Sequence, residues 1–165
     1  MILIELFDAI KELDDELKTL PGITTKKLRH SPSIDIFDNL ITNKRLRKIV
    51  KKLYMDGHHA RAVEEAYKYL DNLVKSVSGI NETGAKLMQT AFSASNPVLM
   101  LNAGSSTSEL DEQKGYLQIF AGCMTGIRNP RAHECEWEDN EVHALQLLVF
   151  ANYLVDRVEN AKKVS

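Results

Sequence analysis

The sequence predicts an all-α fold. Each long apolar pattern repeats in steps of three and four residues, no run alternates apolar with polar as a half-buried strand would, and no Asn-Gly hairpin turn occurs. Pro21, Pro32, Pro97 and Pro130 divide these patterns into segments of helical length. At 165 residues, 44% hydrophobic and 27% charged, the chain can bury a core and is sized for one compact domain with an appended arm.

Ahead of Pro21, the residues Leu3, Leu6, Phe7, Ile10, Leu13, Leu17 and Leu20 form one apolar helical stripe, backed by an acidic face of Glu5, Asp8, Glu12, Asp15 and Glu16. From Pro21 to Asn43 the pattern breaks into a connector holding one short turn or helix around Ile34–Ile41. Thr42 or Asn43 is positioned to cap the next helix, which is short and very basic, carries Leu46, Ile49, Val50 and Leu53 on one side, and stops at Asp56-Gly57. The most regular segment follows, from Ala62 to Val77, and Ser78-Gly79 ends it. Thr83 is positioned to cap a helix from Gly84 to Ser93, closed by Asn96-Pro97. The tetrapeptide Val98–Leu101 is too short to separate extended chain from a final turn. Ser108 reads as the N-cap of a helix running to Arg128, where Pro130 should break or kink it. A last helix starts at Asp139 or Asn140 and frays in Lys162-Lys163. The elements divide into an N-terminal helix and connector over 1–41 and a helical body over 42–165. No internal repeat is visible.

Net charge is −2, from 21 basic and 23 acidic residues, so any polyanion site must be local rather than a property of the whole molecule. The two cysteines, Cys123 and Cys135, are too few for a disulfide framework and lack CxxC spacing, which fits a reducing cytoplasm. The acids in the first eight residues argue against a signal peptide, and the longest uncharged stretch, Leu87–Ser108, contains Asn-Pro and a polar loop that no membrane helix would bury. No membrane association is expected.

The segment Arg128-Asn129-Pro130-Arg131-Ala132-His133 concentrates a cation, an amide and an imidazole. Arginine is a permanent charge whose forked donors suit phosphate oxygens, and histidine as a residue type exchanges protons near neutral pH. Such a set can move a phosphoryl bond without a metal. Upstream, Gly115, Gly122 and Gly126 each cost about 1 kcal/mol of helix propensity relative to alanine, which makes sense where another backbone or subunit comes close. Each residue also has a structural reading: Arg128 on carbonyls at a helix end, Asn129 as a cap, His133 as an interface histidine. His133 and Cys135, with His143 and His58-His59 remote in sequence, match no established metal spacing, and no metal or other cofactor is expected. The run Lys44, Arg45, Arg47, Lys48, Lys51 and Lys52 is a solvated face, an RNA-backbone contact, or a partner for the acidic first helix. Trp137, Tyr67, Tyr69 and Tyr116 are of the type that stacks bases, although at helical spacing an aromatic more often packs a core. Cys123 reads as a packed thiol.

Arg128-Asn129, three residues and His133, lying between two long helices, resembles the RNxxxH signature of the HEPN superfamily. Gly57-His58, the Ala62-to-Leu70 helix, Gly84–Phe92, Asn96-Pro97 and Gly126–Glu134 resemble its Ymh-type branch, found in phages, prophages and defence loci, over about residues 42 to 160. The resemblance implies an up-and-down helical bundle of HEPN type, here with an extra N-terminal helix, that dimerises with two signatures across one cleft. It implies a metal-independent endoribonuclease in phage or prophage defence or toxin-like conflict, with RNA as substrate and an antitoxin or regulatory protein as a further partner. On that resemblance His133 handles the proton of the ribose 2′-hydroxyl, Arg128 stabilises the transition-state charge and Asn129 orients it. Arg131, at a spacer position, is expected to touch phosphate, with Lys44, Arg45, Lys48, Lys51 and Lys52 as further RNA contacts. His58, in a recurring Gly-His start, is either packed or an accessory site residue. Toxin members paired with nucleotidyltransferase antitoxins carry a tyrosine two residues after the histidine; here Cys135 stands there, so modification of that tyrosine cannot operate. The competing class is a catalytically inactive bundle of the same type that dimerises or binds protein or nucleic acid.

Overall fold

In a computed structural model the chain is an all-α bundle, described over residues 2–19 and 32–164. It separates into two compact units, Met1–Thr42 and Asn43–Ser165. The first unit holds α1 (Ile2–Thr19) and α2 (Pro32–Leu40), which touch each other. In α1, Asp8, Glu12, Asp15 and Glu16 are exposed, Ile10 is half-buried and Leu13 is 52% exposed. The other stripe positions, Leu3, Leu6, Phe7, Leu17 and Leu20, and the connector from Pro21 to Ser31 lie outside the described side chains.

The second unit is built around α4 (His59–Ser78), which packs on α3 (Lys44–Met55) and on α8 (Glu141–Glu159). The reason is its stripe: Ala62, Val63, Ala66, Tyr67, Leu70 and Val74 are fully buried at helical spacing. Gly79, at φ 78°, supplies the left-handed residue that ends α4, and Gly57, at φ 82°, does the same after α3. Asn43 caps α3, its Oδ1 accepting from the N–H groups of Arg45 and Leu46 at 3.2 and 3.1 Å. Two tyrosines pin α8 to its neighbours: Tyr54 and Tyr67 donate to the carbonyls of Glu141 and Leu147 at 3.3 and 3.1 Å.

Helix α5 (Gly84–Ala91) stops before the expected Ser93, with Phe92 as its C-cap. Thr83 makes no side-chain cap; the buried Asp71 of α4 accepts the Gly84 N–H instead at 2.6 Å, so a tertiary partner replaces a local one. Val98–Leu101 resolves as a strand, β1 (Leu99–Met100), paired antiparallel with β2 (Lys162–Lys163). The last helix therefore ends at Glu159, and Lys162-Lys163 is extended chain rather than frayed helix. The buried amide of Gln113 holds β1, accepting from Leu101 N–H at 3.0 Å and donating to the Leu99 carbonyl at 2.9 Å.

Gln113 belongs to α6 (Thr107–Cys123), which packs on α5. Its N-cap is Ser106 rather than Ser108: the Ser106 hydroxyl accepts from Glu109 N–H at 3.2 Å, and the Glu109 carboxylate reaches back to Ser105 N–H at 2.6 Å. The Ser105 hydroxyl, donating to the same carboxylate at 2.7 Å, and the Ser105 N–H hold Glu109 below the usual carboxylate range. Among the described residues, no helix is long and apolar enough to cross a membrane.

Candidate functional site

Pro130 does not break the chain's helical course. After Cys123 the backbone opens into a π turn, Met124–Arg128, and continues as α7 (Asn129–His133), with Met124, Arg128 and Asn129 all right-handed. The Asn129 N–H donates to the carbonyl of Met124, five residues back. A proline inside an α-helix removes a donor and collides with the carbonyl four residues earlier; the wider turn makes room for that ring and places Pro130 in the first turn of α7, where a missing N–H costs little. Side chains serve carbonyls around the altered register. Thr125 Oγ1 donates to the Ala121 carbonyl at 3.2 Å, and Arg131 Nη1 to that of Ile127 at 2.7 Å.

Because α7 is α-helical, Asn129 and His133 stand one turn apart on one face. Arg128 joins them through its side chain, Nη1 donating to Asn129 Oδ1 at 3.0 Å. Its Nε is buried and has no hydrogen-bond partner among the described residues. A buried donor left unpaired costs about 1–3 kcal/mol. His133 is exposed and Asn129 half-buried. Together the three offer a cation hydrogen-bonded to an amide and a solvent-facing imidazole.

Arg131 is used differently from the phosphate contact expected of it. Its guanidinium clamps Asp139, Nε to Oδ2 and Nη2 to Oδ1 both at 2.6 Å, with side chains only 6% and 8% exposed. The same group lies 5.3 Å from the centre of the Trp137 ring. Arg131 thus ties the loop after α7 to the Arg128–His133 segment, and its fork is turned into the fold. Eight residues is not a helical spacing, so no sequence signal paired Arg131 with Asp139.

That loop forms one wall of a cleft of about 420 Å³ lined by His58, His59, Arg61, Trp137, Glu138 and Asp139. His58 is exposed, its ring making no cap bond, while His59 stacks on Tyr54 with centroids 5.2 Å apart. Of the other aromatics, Tyr67 is core, with burial raising its phenol well above the ordinary range, and Tyr116 stacks under Arg157 at 4.8 Å. Lys44, Arg45, Lys48 and Lys52 are exposed on α3 and Lys51 is half-buried; Lys52 pairs with Asp56. They sit on a different element from the Arg128–His133 segment. Among the described residues, no group of three His, Cys, Asp or Glu side chains could hold a metal ion. The close approach expected at Gly115, Gly122 and Gly126 is not made among the described residues: beyond the helix's own nearby backbone, a Cβ at any of the three would meet none of their atoms within 4 Å.

The model of a family described as a protein of unknown function (Hypoth_ymh) matches residues 42–158. The chain belongs to the Hypoth_Ymh family. No curated protein and no solved structure matches it. The Hypoth_Ymh span runs from the start of α3 nearly to the end of α8, and so contains the Arg128–His133 segment and both walls of the cleft.

Proposed function

We propose that this protein is a metal-independent endoribonuclease of HEPN type, working as a homodimer in the phage or prophage conflict that its resemblance implies. The observation that carries the reading is the Arg128 guanidinium, hydrogen-bonded to Asn129 and keeping a buried donor unpaired, with the exposed His133 one helical turn beyond Asn129. A phosphodiester seated there would lay a nonbridging oxygen against Arg128. His133 would take the proton of the ribose 2′-hydroxyl as its oxygen bonds to phosphorus and the bond from phosphorus to the 5′-oxygen breaks. The leaving oxygen is then protonated from solvent. Pre-aimed charge and a positioned base each contribute about 10²- to 10⁴-fold in such reactions.

The second copy fits the face that carries Gly115, Ile119 and Gly122 of α6 and Gly126 of the π turn. Ile119 is 40% exposed and the glycines leave their surroundings open. The exposed lysines of α3 and Arg45 add phosphate attraction, and His58 belongs to the adjoining cleft.

The test is RNA cleavage by the full chain in chelator beside His133→Ala and Arg128→Ala. Wild type should leave a 2′,3′-cyclic phosphate and a 5′-hydroxyl and should spare DNA and 2′-O-methylated RNA. Both variants should lose at least about 100-fold in rate while melting as wild type does. Equal cutting of DNA, or cleavage that chelator stops, would refute the mechanism.

A further inference from the structure

We infer that the cleft between the start of α4 and the Trp137 loop is a pocket for one unstacked RNA base, and that it selects guanine. The choice of RNA as ligand rests on the reading above; the choice of base comes from the cleft itself. Its volume of about 420 Å³ lies within the range of small-molecule sites, roughly 300–1,000 Å³. Trp137, 41% exposed on that wall, offers the flat surface on which bases stack.

The charged groups of the lining are committed, with one exception. Arg61 is paired with Glu64 at 2.7 Å and with Glu65 at 2.6 Å, and Asp139 is clamped by Arg131. Glu138 is exposed and has no partner among the described residues. The uncommitted charge is therefore a carboxylate, an acceptor with no donor when ionised. A phosphate would be repelled by it. A ring edge with two adjacent N–H donors matches its two oxygens, and of the four RNA bases guanine presents that edge, through N1–H and the 2-amino group. The pocket is also harnessed to the cleavage segment: Arg131, two residues after Asn129 and two before His133, holds Asp139 and lies over Trp137. A base docked there is held next to that segment, so that the bond cut would be one adjoining a guanine.

Trp137 is the chain's single tryptophan, so its fluorescence reports on this cleft directly. Full-length protein titrated with short 2′-O-methyl RNAs that differ at one base should show saturable quenching, tightest for the guanine-bearing strand. Glu138→Gln should erase the guanine preference while quenching persists. Trp137→Phe, followed with end-labelled RNA, should weaken binding by roughly 5- to 100-fold. A silent Trp137 with every RNA, or a base preference unmoved by Glu138→Gln, would overturn the inference. The two readings fail separately. RNA that is cut while Trp137 stays silent removes the base pocket and leaves the nuclease. Guanine-dependent quenching by a protein that cuts nothing keeps the pocket and removes the nuclease.

Discussion

Replacing Asp139 with alanine would leave the Arg131 guanidinium inside the fold without the two 2.6 Å bonds that compensate its charge. Breaking a buried pair by removing one member costs about 3–5 kcal/mol, because the surviving charge stays desolvated. With side chains 6% and 8% exposed, Arg131 and Asp139 fall in that class rather than among surface pairs. For a chain of 165 residues each kcal/mol lowers the melting temperature by roughly 2–4 °C, so the expected loss is about 6–20 °C. Helical circular dichroism during heating measures it. Asp139→Asn keeps the shape and one acceptor and should lose less. Arg131→Met combined with Asp139→Leu removes both charges and should recover much of the stability. RNA affinity supplies the other half of the assay: Arg131→Met should leave the salt slope of RNA binding where it was. If Asp139→Ala melts within about 2 °C of wild type and Arg131→Met lowers the salt slope by about one, then Arg131 serves phosphate and the reasoning fails.

Gly122→Ala should stabilise the isolated chain by about 1 kcal/mol, since the new methyl meets nothing, and should weaken self-association measured by sedimentation; unchanged association would take the second copy off this face. Reversing Lys44 and Lys48 to glutamate should weaken RNA binding and flatten its salt dependence by up to about two; an unmoved slope would make that face merely solvated. Native protein should present one fast thiol to a colorimetric disulfide reagent, the exposed Cys135, while Cys123 waits for denaturant because it is buried. Burial pushes the Cys123 thiol from 9.0 up to about 11, so over that interval the unfolded chain releases a proton that the folded chain keeps. Stability should therefore decline as pH rises through it, and Cys123→Ala should flatten that part of the profile.

Helices α3 and α4 could be read from the sequence because local terms agree there: Asn43 caps, Gly57 and Gly79 stop, and the stripe from Ala62 to Val74 is uninterrupted. Where two local answers competed, the structure chose by a bond the sequence does not display. Ser106 and Ser108 are both good caps, and the decision follows from which hydroxyl reaches Glu109 N–H. Thr83 lost its place to Asp71, thirteen residues before the Gly84 N–H that it accepts. The pairing of Leu99 with Lys163 is too remote for any local pattern, and two-residue strands leave no periodicity to find. At the candidate site, Arg128, Asn129 and His133 stand out by residue type, but the turn that sets their geometry depends on a backbone choice between two carbonyls. Trp137, Glu138 and Asp139 carry no spacing that links them to His58 and His59.

The π turn also works as a phase shifter. Seven residues of unbroken α-helix return to within about 20° of the same direction, so Asn129 would lie almost directly below Gly122 and share its outlook. The extra residue held in Met124–Arg128 swings everything after it by about 100°. Two copies meeting along the glycine side would then carry Asn129 and His133 on the flanks of their seam, open to a long strand, rather than sealed within it. Deleting a single residue from that turn would leave every side chain of the segment in place and aim all of them elsewhere.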